Sequence, residues 1–247
     1  MVQLACAAGS STCATTSNSI LQTTNAPHEY TGLSAVTVSN AQDWRIYYHD
    51  NSSFLSEVEA NLSGFKSGTR IGGTALNGSS IAAVNANATT NNINVFYVDQ
   101  LTRALSYQHF THGAWTVGIL SPEHNSSITK LIQSFAGATV SDERVTSWNP
   151  RSGLGAAYSS GQDQLHVYYT GLDLGIYEFL GNNISSTDTE WNSQPGRNHI
   201  WAEADYVGAD IAAVGWNDQV RFFQQSGKGR MVQGALSNTT WTEAFVI

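Results

Sequence analysis

Charge is scarce in this chain. Of 247 residues only 12% are Asp, Glu, Lys or Arg, and 11 basic against 19 acidic side chains leave a net charge of −8. No Lys/Arg-rich run exists, so the basic footprint that a nucleic acid or an anionic membrane needs is missing. No apolar stretch approaches the ~20 residues of a transmembrane helix. There is no Gly-x-Ser-x-Gly, no catalytic-type cysteine and no Gly-rich phosphate loop, which removes the usual nucleophile and nucleotide signatures. Metal motifs are absent as well. The nearest approach, His109 and His112 in HFTH, has no acidic residue beside it and reads as turn or surface chemistry. No Asp-x-Asp-x-Asp-Gly calcium loop is present. The expectation is a protein with no cofactor and no metal.

The two cysteines, Cys6 and Cys13, are spaced to close a short loop in an oxidising compartment, or else to remain two thiols in a loose terminus. The opening MVQLACAAGS is too short and too polar for a signal peptide core. N-glycosylation sequons begin at Asn51, Asn61, Asn77, Asn87, Asn125, Asn183 and Asn238; chance alone supplies roughly four in so Asn-, Ser- and Thr-rich a chain. Together these point to the secretory pathway or the extracellular space.

Gly, Ser, Thr and Asn are plentiful and aromatic residues reach 11%. That mixture suits short β-branched and aromatic strands joined by polar turns, and suits helices poorly. The strands repeat. DWRIYYHD from Asp43, INVFYVDQ from Ile93, LHVYYTGL from Leu165 and VRFFQQSG from Val220 superimpose. Each follows a strand of small apolar residues: LSAVTV from Leu33, IAAVNA from Ile81, LGAAYS from Leu154 and IAAVGW from Ile211. Twelve residues after Arg45, Asn94, His166 and Arg221 come Glu57, Ser106, Glu178 and Gln233, and an aromatic follows further on: Phe65, Trp115, Trp191 and Trp241.

A four-stranded antiparallel unit of about forty-five residues cannot bury both faces alone, so such units stack around an axis as the blades of a β-propeller. Small residues fit the crowded innermost strands, and aromatics fill the wider outer gaps. The anchors lie 49, 72 and 55 residues apart, which places an insertion at about 126–152. The reading is one all-β propeller domain over 1–247 with a degenerate blade at 1–32 and blades at 33–80, 81–125, 153–205 and 211–247. Five blades are favoured, with four or six open.

The pattern of a small apolar strand, Arg-x-Tyr-Tyr, then Glu twelve residues on, then Trp resembles the fungal fucose-specific lectins over about residues 33–247. The resemblance implies a propeller that binds fucose between its blades, an arginine and a glutamate bonding the hydroxyls and aromatics meeting the apolar face. Carried over, it marks Arg45, Glu57, Glu178, Trp191, Gln233 and Trp241 as sugar-binding positions. Read blade by blade, no blade keeps the whole set: Arg45 and Glu57 go with Phe65, Asn94 and Ser106 with Trp115, His166 and Glu178 with Trp191, and Arg221 and Gln233 with Trp241.

Two loop segments are denser in chemistry, TSWNPRSG at 146–153 and NHIWAEADY at 198–206. Degenerate triads and an aromatic pocket also resemble divergent propellers of this kind that act as hetero-Diels–Alderases in fungal tropolone sesquiterpenoid pathways. That resemblance implies a cofactor-free pericyclase. His166, His199 and Arg221 would then be carbonyl donors, and Trp148, Trp201 and Tyr206 the walls. The expected partner is a partly apolar small molecule or a fucosylated glycan, and oligomeric state is left open.

Overall fold

A computed structural model describes residues 3–6, 13–17, 25–39, 43–61, 64–66, 68–87, 89–119, 152–184, 190–191, 196–197, 201–227, 229–237 and 240–245. Every regular element among them is a strand. Blade I contains β3 (Leu33–Val38), β4 (Asp43–His49), β5 (Phe54–Asn61) and β6 (Gly64–Phe65), with β7 (Thr69–Thr74) also pairing β5. Blade II contains β8 (Ile81–Asn87), β9 (Asn92–Val98), β10 (Leu105–Thr111) and β11 (Ala114–Ile119). Blade III contains β12 (Leu154–Ser159), β13 (Gln164–Thr170), β14 (Ile176–Asn182) and β15 (Glu190–Trp191), with β16 (Gly196–Arg197) also on β14. Blade IV contains β17 (Ile211–Trp216), β18 (Gln219–Ser226), β19 (Arg230–Ser237) and β20 (Thr240–Phe245). A separate ladder of β1 (Gln3–Cys6) and β2 (Cys13–Ser17) sets Cys6 opposite Cys13.

The Ala-rich strands are innermost. β3, β8, β12 and β17 pack on one another in that order, while β17 does not pack on β3 in the same way, so the described blades form an open row about a channel. Small residues are required there. A Cβ on Gly155 would meet Ile211 at 2.8 Å, and one on Gly215 would run into the Tyr158 carbonyl. The channel holds a cavity of about 370 Å³ walled by Ala35, Ala83, Ala156, Tyr158, Val214 and Trp216.

Strand alternation divides each blade into two faces. Tyr47 of β4 packs with Ile81, Ile93, Val95 and Tyr97 of blade II. Phe96 and Val98 of β9 pack with Leu165, Val167 and Tyr169 of blade III. Tyr168 of β13 packs with Val220 and Phe222 of blade IV. Each interblade layer is thus a continuous apolar core, and the second strand of each blade alternates between the core behind it and the core ahead.

Candidate functional site

The same alternation decides which blade each polar residue serves. Arg45, Tyr47, Glu57 and Glu59 share one face, since Arg45 pairs with Glu59 and Tyr47 with Glu57 across β4 and β5. That face looks at blade II. The aromatic ring opposite is therefore Trp115, which crosses Tyr47 with centroids 6.0 Å apart at 83°. The arrangement recurs ahead: Phe96 and Trp191 lie 6.0 Å apart at 85°, and Tyr168 and Trp241 lie 6.3 Å apart at 88°. The grouping of each tryptophan with its own blade is thus corrected: each serves the blade before it. Phe65, cross-strand from Ala60, sits on the face of blade I turned away from blade II.

This regrouping gives the cleft between blades I and II a complete set: Arg45, Glu57 and Trp115. Arg45 Nη1 donates to Glu57 Oε1 at 2.5 Å and meets Glu59 Oε1 at 2.9 Å, while Lys66 Nζ reaches Glu59 Oε2 at 3.2 Å. Side-chain exposure rises from 5% at Glu57 through 19% at Arg45 and 38% at Glu59 to 66% at Lys66, so the charges form a path from the interior to the mouth. Burial pushes the Glu57 carboxyl above the usual carboxylate range, against the pull of the Arg45 guanidinium. Burial, then the neighbouring Glu57 carboxylate, raises the Tyr47 hydroxyl well above its ordinary value. Glu57 Oε2 is enclosed without a regular hydrogen bond.

The cleft between blades II and III departs from expectation. Ser106 pairs with Tyr97 and so faces blade I, whereas Tyr107 pairs with Phe96 and faces blade III. The turn from β9 to β10 is one residue longer than the turn from β4 to β5, and a one-residue slip exchanges the faces of a strand. The acceptor position is held by Tyr107, whose ring lies 5.9 Å from Trp191. Asn94 is cross-strand from His109, and His109 Nε2 bonds Asn92 Oδ1 at 2.8 Å; His112 is exposed.

Between blades III and IV, His166 Nδ1 bonds Glu178 Oε1 at 2.8 Å, and both face Trp241. His166 is 2% exposed and its Nε2 has no hydrogen-bond partner. Trp201, expected as a pocket wall, instead lies inside this layer, 4.5 Å from Phe222 and 4.7 Å from Trp241. Tyr206 is exposed. Arg221 and Gln233 share the face of blade IV that turns away from blade III, as their cross-strand partners Ala235 and Phe223 do. Arg221 Nη1 donates to the carbonyls of Val220 and Leu236, both at 3.0 Å, and its guanidinium stands 5.3 Å over the Trp216 ring. No described blade follows blade IV. Trp148 and His199 lie outside the described residues, as do Asn125 and Asn238 and nearly all of the expected insertion.

Sequence reasoning missed Glu59, the tyrosine shared by the first and third clefts, and the exchange of Ser106 for Tyr107. Cross-strand parity was the available signal for all of them. Among the described residues no group of His, Cys, Asp and Glu is placed to hold a metal ion.

No family model and no curated protein matches the sequence. The row of four described blades defines a β-propeller, and solved structures share it. AofleA from Arthrobotrys oligospora matches 89% of this chain and 57% of its own, at 18% identity and a TM-score of 0.63. The lectin of Aleuria aurantia, a six-bladed β-propeller, matches 90% and 63%, at 20% identity and a TM-score of 0.60. The SapL1 lectin in complex with α-methyl fucoside matches 87% and 62%, at 20% identity and a TM-score of 0.60. The fold is that of the fungal fucose-specific lectins, and the chain spans about three fifths of the length of these relatives.

Proposed function

We propose that this chain is a lectin-like propeller that binds a fucose-type monosaccharide in the cleft between blades I and II. The observation that carries the reading is the Arg45–Glu57 pair facing Trp115 across that cleft. Vicinal hydroxyls of a sugar match a guanidinium donor flanked by two carboxylate acceptors, and its apolar face matches an indole. The SapL1 structure with α-methyl fucoside supports the choice of sugar. Of the described clefts this one alone combines an arginine, a glutamate and a tryptophan, so the described clefts offer one such site and no avidity among themselves.

Calorimetric titration with methyl α-L-fucoside tests the reading. One saturable site is expected, weakened about tenfold or more by Arg45→Ala, since a hydrogen bond to a charged group contributes about 1.5–3 kcal/mol. Trp115→Ala should weaken it too. No saturation at millimolar sugar sinks the proposal.

A second reading, a cofactor-free hetero-Diels–Alderase joining a tropolone-derived quinone methide to a humulene-type olefin, is favoured by the channel. Its cavity of about 370 Å³ is walled by Tyr158 and Trp216, with Arg221 over the latter. Holding two reactants in one orientation lowers the barrier by several kcal/mol, and Arg221 would stabilise charge developing on oxygen. In this reading His166, enclosed between blades III and IV, cannot share the pocket with Arg221. Adduct formation above the uncatalysed rate, lost in Arg221→Ala, is its test.

Two further elements belong to the proposal. A secretory route accords with the sequon asparagines Asn51, Asn77, Asn87 and Asn183, which are exposed, while Asn61 is half-buried. A degenerate blade before Leu33 accords with the bridge from Pro27 to Asp50, which repeats those from Ala75 to Asp99 and from Ala204 to Ser226 where one blade hands over to the next.

A further inference from the structure

The handover bridges match one position of the first cleft with one of the third. Ala75 and Ala204 make the same contact, Ala75 with Asp99 just past β9 and Ala204 with Ser226 at the end of β18. Three residues before Ala75 stands Gly72; three before Ala204 stands Trp201. Gly72 is exposed, and a Cβ there would meet nothing closer than the Gln108 amide at 3.5 Å. Trp201 is 5% exposed and ringed by Tyr168, Phe222 and Trp241 at 5.9, 4.5 and 4.7 Å. The tyrosine–tryptophan crossing is otherwise the same in both clefts.

We propose that Trp201 is an internal occupant of the cleft between blades III and IV, and that removing its indole uncovers a second site for the same class of monosaccharide. The proposal rests on the sugar reading of the first cleft. The residues of a site are present beneath the indole: His166 as donor in place of arginine, Glu178 as acceptor bonded to it at 2.8 Å, and Trp241 as the apolar platform. His166 Nε2, Gln224 Oε1 and Trp201 Nε1 are all buried in this layer with no hydrogen-bond partner. Enclosed polar atoms without partners are few in native proteins, and three in one layer mark a space whose present filling does not use the polar groups around it. A polyol entering there would meet His166 Nε2.

The occupant is fastened. Gln224 Nε2 donates to the Ala202 carbonyl at 2.5 Å, Ser226 Oγ donates to the Glu203 carbonyl at 2.5 Å, and the Ala202 amide donates to the Glu243 carboxylate. The Ala204 amide donates to the Leu174 carbonyl of blade III at 2.8 Å. The segment from Trp201 to Ala204 is thus strapped to both blades, and the cleft stays closed without a change in sequence.

Titration of the Trp201→Gly protein with methyl α-L-fucoside tests this. Wild type should bind one sugar per chain and the variant two, with Glu178→Gln in the Trp201→Gly background removing only the added site. A folded variant that still binds one sugar overturns the proposal and leaves the first cleft intact. If wild type binds none, the sugar reading itself falls and this proposal with it. Should Trp201→Gly lose its fold, Trp201→Leu decides in the same way: a second saturable site supports the proposal, and a single site overturns it.

Discussion

The first and third clefts are built on one plan and filled differently. In both, a tyrosine two residues past the donor position crosses a tryptophan of the next blade almost at right angles. In both, a glutamate twelve residues on bonds the donor. What separates them is the handover segment, which offers Gly72 to one cleft and Trp201 to the other, and the donor itself, arginine in one and histidine in the other. The framework residues are held in place by packing between blades. What fills a cleft follows from one handover residue, Gly72 with its φ of +99° in the first and the buried Trp201 in the third.

The sharpest way to break the comparison is at the rings. Trp201→Ala removes a buried indole from a fully packed layer and should cost about 3–5 kcal/mol of stability. Trp115→Ala, at a half-buried ring, should cost roughly 2. Urea denaturation of the two variants should show the difference as a lower midpoint for Trp201→Ala; equal midpoints would mean the clefts are filled alike.

Acid separates them next. His49, at the end of β4, is fully buried with neither ring nitrogen bonded. Burial, with His28 nearby, pushes its imidazole down to about 4, against the pull of Asp50. The unfolded chain takes up this proton below about 6.5, while the folded chain resists until about pH 4. Between those values the unfolded state binds more protons, so stability falls as the pH falls, by about 3 kcal/mol in all, and levels off below. The equivalent residue of blade III is Thr170, which does not titrate. Thermal melts from pH 7 to pH 4 should show the loss in wild type and not in His49→Thr.

The smallest effect expected is at Gly72, where φ is +99°. Gly72→Ala forces a side chain into a backbone region it rarely adopts and should cost about 1 kcal/mol. Trp201→Ala melts in the same buffer supply the scale against which that loss is measured.

Much of the fold was legible because strand alternation and small inner residues are local signals. Three of the expected inner strands, LSAVTV, LGAAYS and IAAVGW, coincide with β3, β12 and β17, and IAAVNA lies within β8. The clefts were less legible for two reasons. A tryptophan near the end of a repeat looks like a partner of the arginine before it, yet hairpin parity turns it toward the preceding blade; only the stacking of blades reveals the match of Arg45 with Trp115. The constant spacing of twelve also fails in blade II, where one extra turn residue exchanges Ser106 for Tyr107 on the face turned to blade III. Trp201 reads as a pocket wall because it stands in one of two loop segments dense in aromatic and donor residues. Its burial is set by blade III and blade IV together, and no local pattern carries that.

The crossing of two rings at 83°, 85° and 88° in successive layers makes the described blades a row of nearly interchangeable joints. Each blade is held by its immediate neighbours, and cohesion adds up joint by joint rather than around a single centre. A change that refits one joint therefore leaves the others unaltered, which lets one cleft keep charged groups, the next close over rings and a third carry its own plug without any of them disturbing the shape of the whole.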